Sequence, residues 1–478
     1  MSDGTIRTIL SSDGSQQGDP GGGFLFCVGA APKLQLISQA LPDCFVGSII
    51  DDVTVGAKIE QIPHAIQVVS QHLEEYGIRL AQHKCLIYTS PQNVNLIPVD
   101  TPSSFPISTA GFKLLGSPIT NNREDIATQI PIGDESFMSN FFEALLQKQI
   151  TFMHKIKLLN HKHSALQVLL LSANAKIAHL LRTTSAANQS SPFYHFLISF
   201  DKAILETFNS ITTCSSLSQN QITQIRLPER LSGLGLLSAV HMSTSAFLGG
   251  SRQGIQELSQ RNLTSCLFTS MYHDNQMNPA IEFCREIHQN WDLFMQTQHD
   301  NNPNIPIISW ASDRFLACEP KQLQHKLFAQ QMQSLHAQLL NTSSPSDKLR
   351  LHSCSGTGAA AFLRVPASYP GCFFTNQEFI IAIKIRIKAP LQLLLPSTCI
   401  CGSSLDDFGD HLFKCRIGGE WDHRHSVLVH LMASIFRSVQ LPVQHEVPLQ
   451  NLGPLRELDT TGTGRMDLII TYSDLPQP

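Results

Sequence analysis

Two adjacent acids, Asp51-Asp52, interrupt a run that is otherwise rich in apolar and β-branched residues, with Gly47-Ser48-Ile49-Ile50 before them and Val53-Thr54-Val55 after. Burying either carboxylate in a packed strand costs several kcal/mol unless it is paired or bound to a metal. The run therefore has to double back at the acids, as a β-hairpin with Asp51-Asp52 at its tip. A plain turn is one use of such a pair, because Asp suits tight turns. The other use is chemical: paired carboxylate oxygens hold Mg²⁺. Two such ions clamp the attacking and leaving oxygens in phosphoryl or nucleotidyl transfer. Upstream, Gln16-Gln17-Gly18-Asp19-Pro20 makes a tight polar turn leading into an apolar helical run. That companion favours the chemical use.

Together the two features resemble motifs B and C of reverse transcriptases, particularly those of non-LTR retrotransposons. The resemblance implies that Gln17 and Gly18 face the incoming nucleotide and template. It makes Asp51 a Mg²⁺ ligand of a polymerase centre and Asp52 its less critical neighbour. Two positions depart from the family. Ile49 stands where an aromatic is usual, and Gly21-Gly22-Gly23 replaces Leu-Gly-Pro, weakening the helix start by up to about 1 kcal/mol per glycine. The family's motif A, with the other essential aspartate, precedes motif B. Asp3 and Asp13 are too near the turn to replace it, so little or no polymerase activity is expected from this chain alone. An upstream chain or exon would complete the palm.

The next segments extend the resemblance. Phe24 to Leu41 reads as a helix broken near Pro32, and Ile59 to Tyr76 as a second, with Ile62, Ile66, Val69 and Leu73 at helical spacing and Gly77 as its stop. Lys84, before Leu86-Ile87-Tyr88, matches the motif D lysine, which implies a role in protonating or stabilising the leaving pyrophosphate; a solvated lysine at a strand entrance is the plain alternative. Gly111-Phe112-Lys113-Leu114-Leu115-Gly116 resembles the turn that grips the primer strand. Phe141 to Arg182 is apolar-periodic, helical and locally basic, with Lys148, Lys155, Lys157, Lys162, Lys176 and Arg182 against Glu143 alone. At the thumb position a basic helical face, here Lys155, Lys157 and Lys162, would follow a phosphate backbone.

Net charge over the 478 residues is −4, which excludes a whole-chain basic field, so any nucleic-acid surface must be a local patch. Leu227-Pro228-Glu229-Arg230-Leu231-Ser232-Gly233-Leu234-Gly235-Leu236, followed by the Ser/Ala-rich stretch Ser238 to Gly250, resembles a signature of the family, with a structural role. Ser251 to Arg350 reads as helical, broken at Asn301-Asn302-Pro303, with His288, Trp291 and Trp310 as core or surface. Thr375-Asn376-Gln377-Glu378 is a capping box that opens a helix through Lys388, on which Lys384 and Lys388 share a face and could touch phosphate.

Cys399-Ile400-Cys401-Gly402 precedes His411-Leu412-Phe413-Lys414-Cys415 by a short loop. Cys-x-Cys-Gly supplies two ligands from a turn and His-x-x-x-Cys two from one helical face, the tetrahedral set of a structural Zn²⁺. The resembling family has a zinc knuckle here, ahead of a restriction-like endonuclease. Arg424-His425 matches an Arg-His at the start of its next helix. Glu446 and Asp467 fall at the start of that nuclease; Asp467 matches its metal-binding acid, with Met466 where proline is usual, and Glu446 is kept as a further relic acid. The next strand's acid and lysine would lie past Pro478, so the nuclease is expected to be truncated.

The expected fold is α+β: a partial palm over residues 1–120, a helical thumb-like region over 121–250, a helical linker over 251–390, a zinc knuckle over 391–425 and a nuclease start over 426–478. The implied partners are an RNA template, a DNA primer or target, and dNTP. The alternative is a non-catalytic, zinc-containing nucleic-acid-binding relic or scaffold. The twelve cysteines show no disulfide spacing, and Ser2 to Arg7 is no signal peptide. No uninterrupted apolar run reaches the roughly 20 residues of a membrane span. The expectation is an intracellular protein, nuclear or cytoplasmic.

Overall fold

A computed structural model describes residues 20–120, 135–260, 272–273, 276–277, 282–366, 373–391, 397–451 and 465–470. It is mostly helical (62%) with a few short strands, α+β at a coarse level. In chain order the elements used below are α1 (Gly22–Ala40), β1 (Phe45–Ile49), β2 (Asp52–Gly56), α2 (Ile62–Glu74), β3 (Ile87–Tyr88), β4 (Ile107–Ser108), β5 (Phe112–Leu114) and β6 (Ser117–Ile119). Then follow α3 (Glu135–Lys157), α4 (Lys162–Val168), α5 (Ala178–Thr183), α6 (Pro192–Thr212), α7 (Gln219–Arg226) and α8 (Ala239–Gln260). The short pair β7 (Tyr272–His273) and β8 (Gln276–Met277) precedes α9 (Glu282–Asn301), α10 (Ser312–Ala317), α11 (Pro320–Thr342), α12 (Pro345–Ser355), α13 (Ala361–Arg364) and α14 (Asn376–Ile387). The chain continues with α15 (Asp410–Lys414), α16 (Glu420–Ser438), β9 (Val443–Pro448) and β10 (Arg465–Ile470).

The chain divides into two compact units that interleave along the sequence: Met1–Phe152, Ala173–Ala203 and Ser238–Gln330 in the first, the remainder in the second. In the first unit, α1 and α2 pack on the β1–β2 hairpin through Ile37, Leu41, Ala65, Val68, Val69 and Leu73. Helix α1 runs unbroken through Pro32, against the expected break. A helical proline removes one backbone hydrogen bond, and burial of Ala30 and Ile37 on either side of it holds the axis. Gly77 (φ 74°) ends α2 in the left-handed region, and the Ile78 amide returns to the Leu73 carbonyl at 3.0 Å. A second cluster joins α8, α9 and α10 through Phe247, Leu248, Ile287, Phe294 and Phe315. Trp291 is in this core and donates to the Ile308 carbonyl.

The second unit is organised around Arg386 on α14, which is 5% exposed. Its guanidinium donates to the backbone carbonyls of Gly233, Cys354 and Ala359 at 3.0 Å each. Gln224 donates to the carbonyls of Ser232 and Arg386, and Arg350 also reaches Arg386 O. The Leu227–Leu236 loop is thus held from two helices, α7 and α14. The same helix corrects the expectation for Lys384 and Lys388. Lys384 is buried, and Lys388 caps α14 with φ 52° and pairs with Asp347 at 3.2 Å. The two therefore do not form an open phosphate face.

His163 is buried against the Phe379 ring at 4.5 Å. Desolvation pushes its pKa down, with His161 adding to the effect; burial also lowers that of His336, beside His352. Native imidazoles of lowered pKa bind fewer protons than the unfolded chain. The stability they preserve is present above about pH 6.5 and is lost as pH falls through the unfolded value. Acid denaturation should therefore steepen below that pH, by at most about 1.4 kcal/mol per pH unit per histidine. The dependence should flatten in His163→Phe; identical pH profiles for parent and variant would refute it.

The segment Lys162–Thr183 is long and apolar enough to cross a membrane by length and composition, although Gln167, Asn174 and Lys176 interrupt its apolar run. Core helices pass the same test.

Candidate functional site

The hairpin forms, but its tip lies one residue earlier than expected, and Asp52 is the first residue of β2. Ile49 pairs with Asp52 across a two-residue loop, Ile50-Asp51. Ile50 adopts φ 53°, a region unfavourable to a β-branched side chain. Ser48 Oγ donates to the Ile50 carbonyl across the turn at 3.1 Å. Asp51 and Asp52 are both exposed. Among the described residues they belong to no group of three ligands close enough to hold a metal. Gln17 and Gly18 lie outside the described residues. Lys84 stands exposed on a turn before β3. The Gly111–Gly116 segment makes the β5–β6 hairpin, with Leu115 (φ 49°) and Gly116 (φ 90°) as its loop.

The expected basic face divides. Lys155 and Lys157 are about 200° apart around α3, Lys155 exposed and Lys157 half-buried. Lys162 opens α4, where its amide is held by Asn376 Oδ1 at 2.8 Å. Lys176 lies over the Phe152 ring, 3.5 Å from its centroid.

Cys399, Cys401, His411 and Cys415 do come together: one ligand atom from each lies within 4.8 Å of the others. Cys399 and Cys415 Sγ are 3.7 Å apart, and Cys401 Sγ is 3.2 Å from His411 Nε2. Zn–S bonds of about 2.3 Å in a tetrahedron require S···S near 3.8 Å, so the donor set fits a metal such as zinc. Local backbone builds it. The Gly402 amide closes on the Cys399 carbonyl at 2.8 Å, and Gly402 takes φ 83°. Cys399 N–H donates to Ser403 O at 2.8 Å. Hydrogen bonds from the Ser403 hydroxyl and amide bring the Cys401 thiol down to about 6, favouring the thiolate that metals take.

Asp406 completes the scaffold and was not singled out from the sequence. Its carboxylate accepts from the amides of Phe408, Asp410 and His411 at 2.9 Å each, which fixes the start of α15. The His411 amide first, with burial opposing, holds Asp406 below the usual carboxylate range. An Asp spaced before Gly-Asp-His, able to cap a short helix, was the available signal.

Arg424 and His425, adjacent on α16, face different partners. Arg424 donates to the Phe413 carbonyl at 3.1 Å, and His425 Nε2 pairs with Asp467 at 3.2 Å. On the β9–β10 hairpin, Val447 pairs with Met466 and His445 with Leu468, so Glu446 and Asp467 occupy the same register position. Glu446 has φ 51° and lies 3.9 Å from Arg465. No protein-family model matches the chain, and no curated protein matches it.

Proposed function

We propose that this chain is part of a non-LTR retrotransposon reverse transcriptase, with Asp51 and Asp52 as Mg²⁺ ligands of its RNA-directed DNA polymerase centre and Cys399, Cys401, His411 and Cys415 as a Zn²⁺ knuckle. The observation that carries the reading is the hairpin that exposes both acids at or beside its tip, ahead of the helices and the Cys₃His array in chain order. Two-metal transfer needs carboxylates from more than one strand to fix both ions. The paired acids alone leave that set incomplete. The reading therefore makes this chain a binder of RNA template and DNA primer that extends them poorly by itself.

One observation favours the non-catalytic alternative: the Cys₃His donors are assembled, whereas Asp51 and Asp52 stand outside any three-ligand group among the described residues. Primer extension on an RNA template with dNTPs and Mg²⁺ tests the lack of extension and the nucleic-acid binding that the two readings share. We expect a retained primer–template and extension near the blank. Robust extension lost in Asp51→Ala would overturn the expected incompleteness while keeping the polymerase reading. Failure to retain the primer–template would overturn both.

A further inference from the structure

The second unit contains a cavity of about 590 Å³ bounded by α7, α11, α12, the end of α14 and the loop before α15. That volume is in the range of small-molecule sites. Its polar wall carries two cations and one acid, Arg350, Lys388 and Asp347; its apolar wall includes Leu339 and Phe408. Asp347 accepts from Arg350 Nε at 3.3 Å and pairs with Lys388 Nζ at 3.2 Å. Arg350 is positioned by Gln224 Oε1 at 3.1 Å and the Arg386 carbonyl, so its bond to Asp347 is the one that yields to a ligand. Lys388 is kept at the cavity by a left-handed backbone, φ 52°, an unfavourable conformation for lysine. Its ammonium lies 5.8 Å from the centre of the Phe408 ring.

These groups select for charge and shape together. The wall has a net positive charge that a single carboxylate only half satisfies. A phosphate offers more acceptor oxygens and more charge than Asp347, and competes with it for Lys388 and Arg350. The apolar side beside the cations suits a flat ring. We propose that this cavity binds a nucleoside monophosphate, with its phosphate on Lys388 and Arg350 and its base against Leu339 and Phe408. The nucleotide is either free or one residue of a single strand. The site uses none of the hairpin acids and none of the Cys₃His donors, so it stands or falls apart from the polymerase reading.

Titration calorimetry on the full zinc-supplemented chain tests it, with inorganic phosphate, dAMP and a short single-stranded DNA as probes. Saturable binding of one dAMP per chain is expected, at least tenfold tighter than inorganic phosphate. Lys388→Asn should weaken dAMP at least tenfold while keeping the melting temperature, because asparagine accepts the left-handed backbone. Asp347→Asn removes the competing carboxylate and should tighten phosphate severalfold. Phe408→Leu should erase the preference for dAMP over phosphate. Displacement of dAMP by the oligonucleotide assigns the site to nucleotides of a strand; no displacement assigns it to free mononucleotide. The proposal is overturned if dAMP does not saturate, or if binding is unchanged in both Lys388→Asn and Asp347→Asn.

Discussion

Cys415→Ser, purified with zinc in every buffer, should hold well under one equivalent of metal where the parent chain holds one. Structural zinc in small Cys/His sites supplies an apparent 10–16 kcal/mol, roughly, at neutral pH, far more than a short loop gains from its own packing. The segment around the cluster has little core of its own: Ile400 is 89% exposed and Ile417 55%. The metal is therefore expected to carry most of its order. Metal content by mass spectrometry, together with amide exchange over residues 397–415, reads both consequences. Amides of Cys399, Gly402 and Cys415, each hydrogen-bonded to a carbonyl within the loop, should lose protection in Cys415→Ser and on chelation. Asp406→Ala leaves all four ligands and removes three amide acceptors, so zinc should bind about 10- to 100-fold more weakly. Parent-like zinc content and exchange in Cys415→Ser would show that these residues hold no metal.

Gly233→Ala should be the most damaging single methyl in the second unit. A Cβ there would overlap the Leu227 carbonyl group and sit 2.8 Å from Gln224 O. None of these is a flexible side-chain end; all are backbone atoms, and Gly233 O is itself clasped by Arg386. Relief requires moving the loop off the guanidinium and leaving buried donors unsatisfied, at roughly 3 kcal/mol or more. Gly235→Ala is the control. Its φ is 78° and its nearest neighbour atom is the end of the Glu229 side chain at 3.6 Å, so the cost is backbone strain alone, on the order of 1 kcal/mol. Urea midpoints for the two variants should differ severalfold in their shift. Equal shifts would mean that the close approach to Leu227 does not constrain the loop.

Features set by local rules could be read from the sequence. A turn at Asp51-Asp52 was legible because two carboxylates pack poorly in a strand, but that Ile50-Asp51 forms the loop and Asp52 heads β2 was not. The Cys and His spacing had to place four donors together if the turn and the helix formed. The Thr375–Glu378 box set the start of α14 by its own hydrogen bonds. What depended on distant partners was not legible. Ile383-Lys384-Ile385-Arg386-Ile387-Lys388 looks like a surface helix with phosphate-binding lysines. Only the folded chain shows that Arg386 turns inward to carbonyls from residues far off in sequence. The lysines of α3 are close in sequence, yet a two-residue step separates them around the helix. Asp406 looked like one more loop acid until its three amide partners were assembled.

The most direct measurement of the central claim is a binding titration of the zinc-loaded chain with an RNA–DNA primer–template, repeated from low to physiological salt. We predict saturable binding whose logarithm falls steeply and linearly with that of salt concentration, as contacts to several phosphates require. Absence of affinity for the hybrid, for RNA and for DNA even at low salt would contradict it.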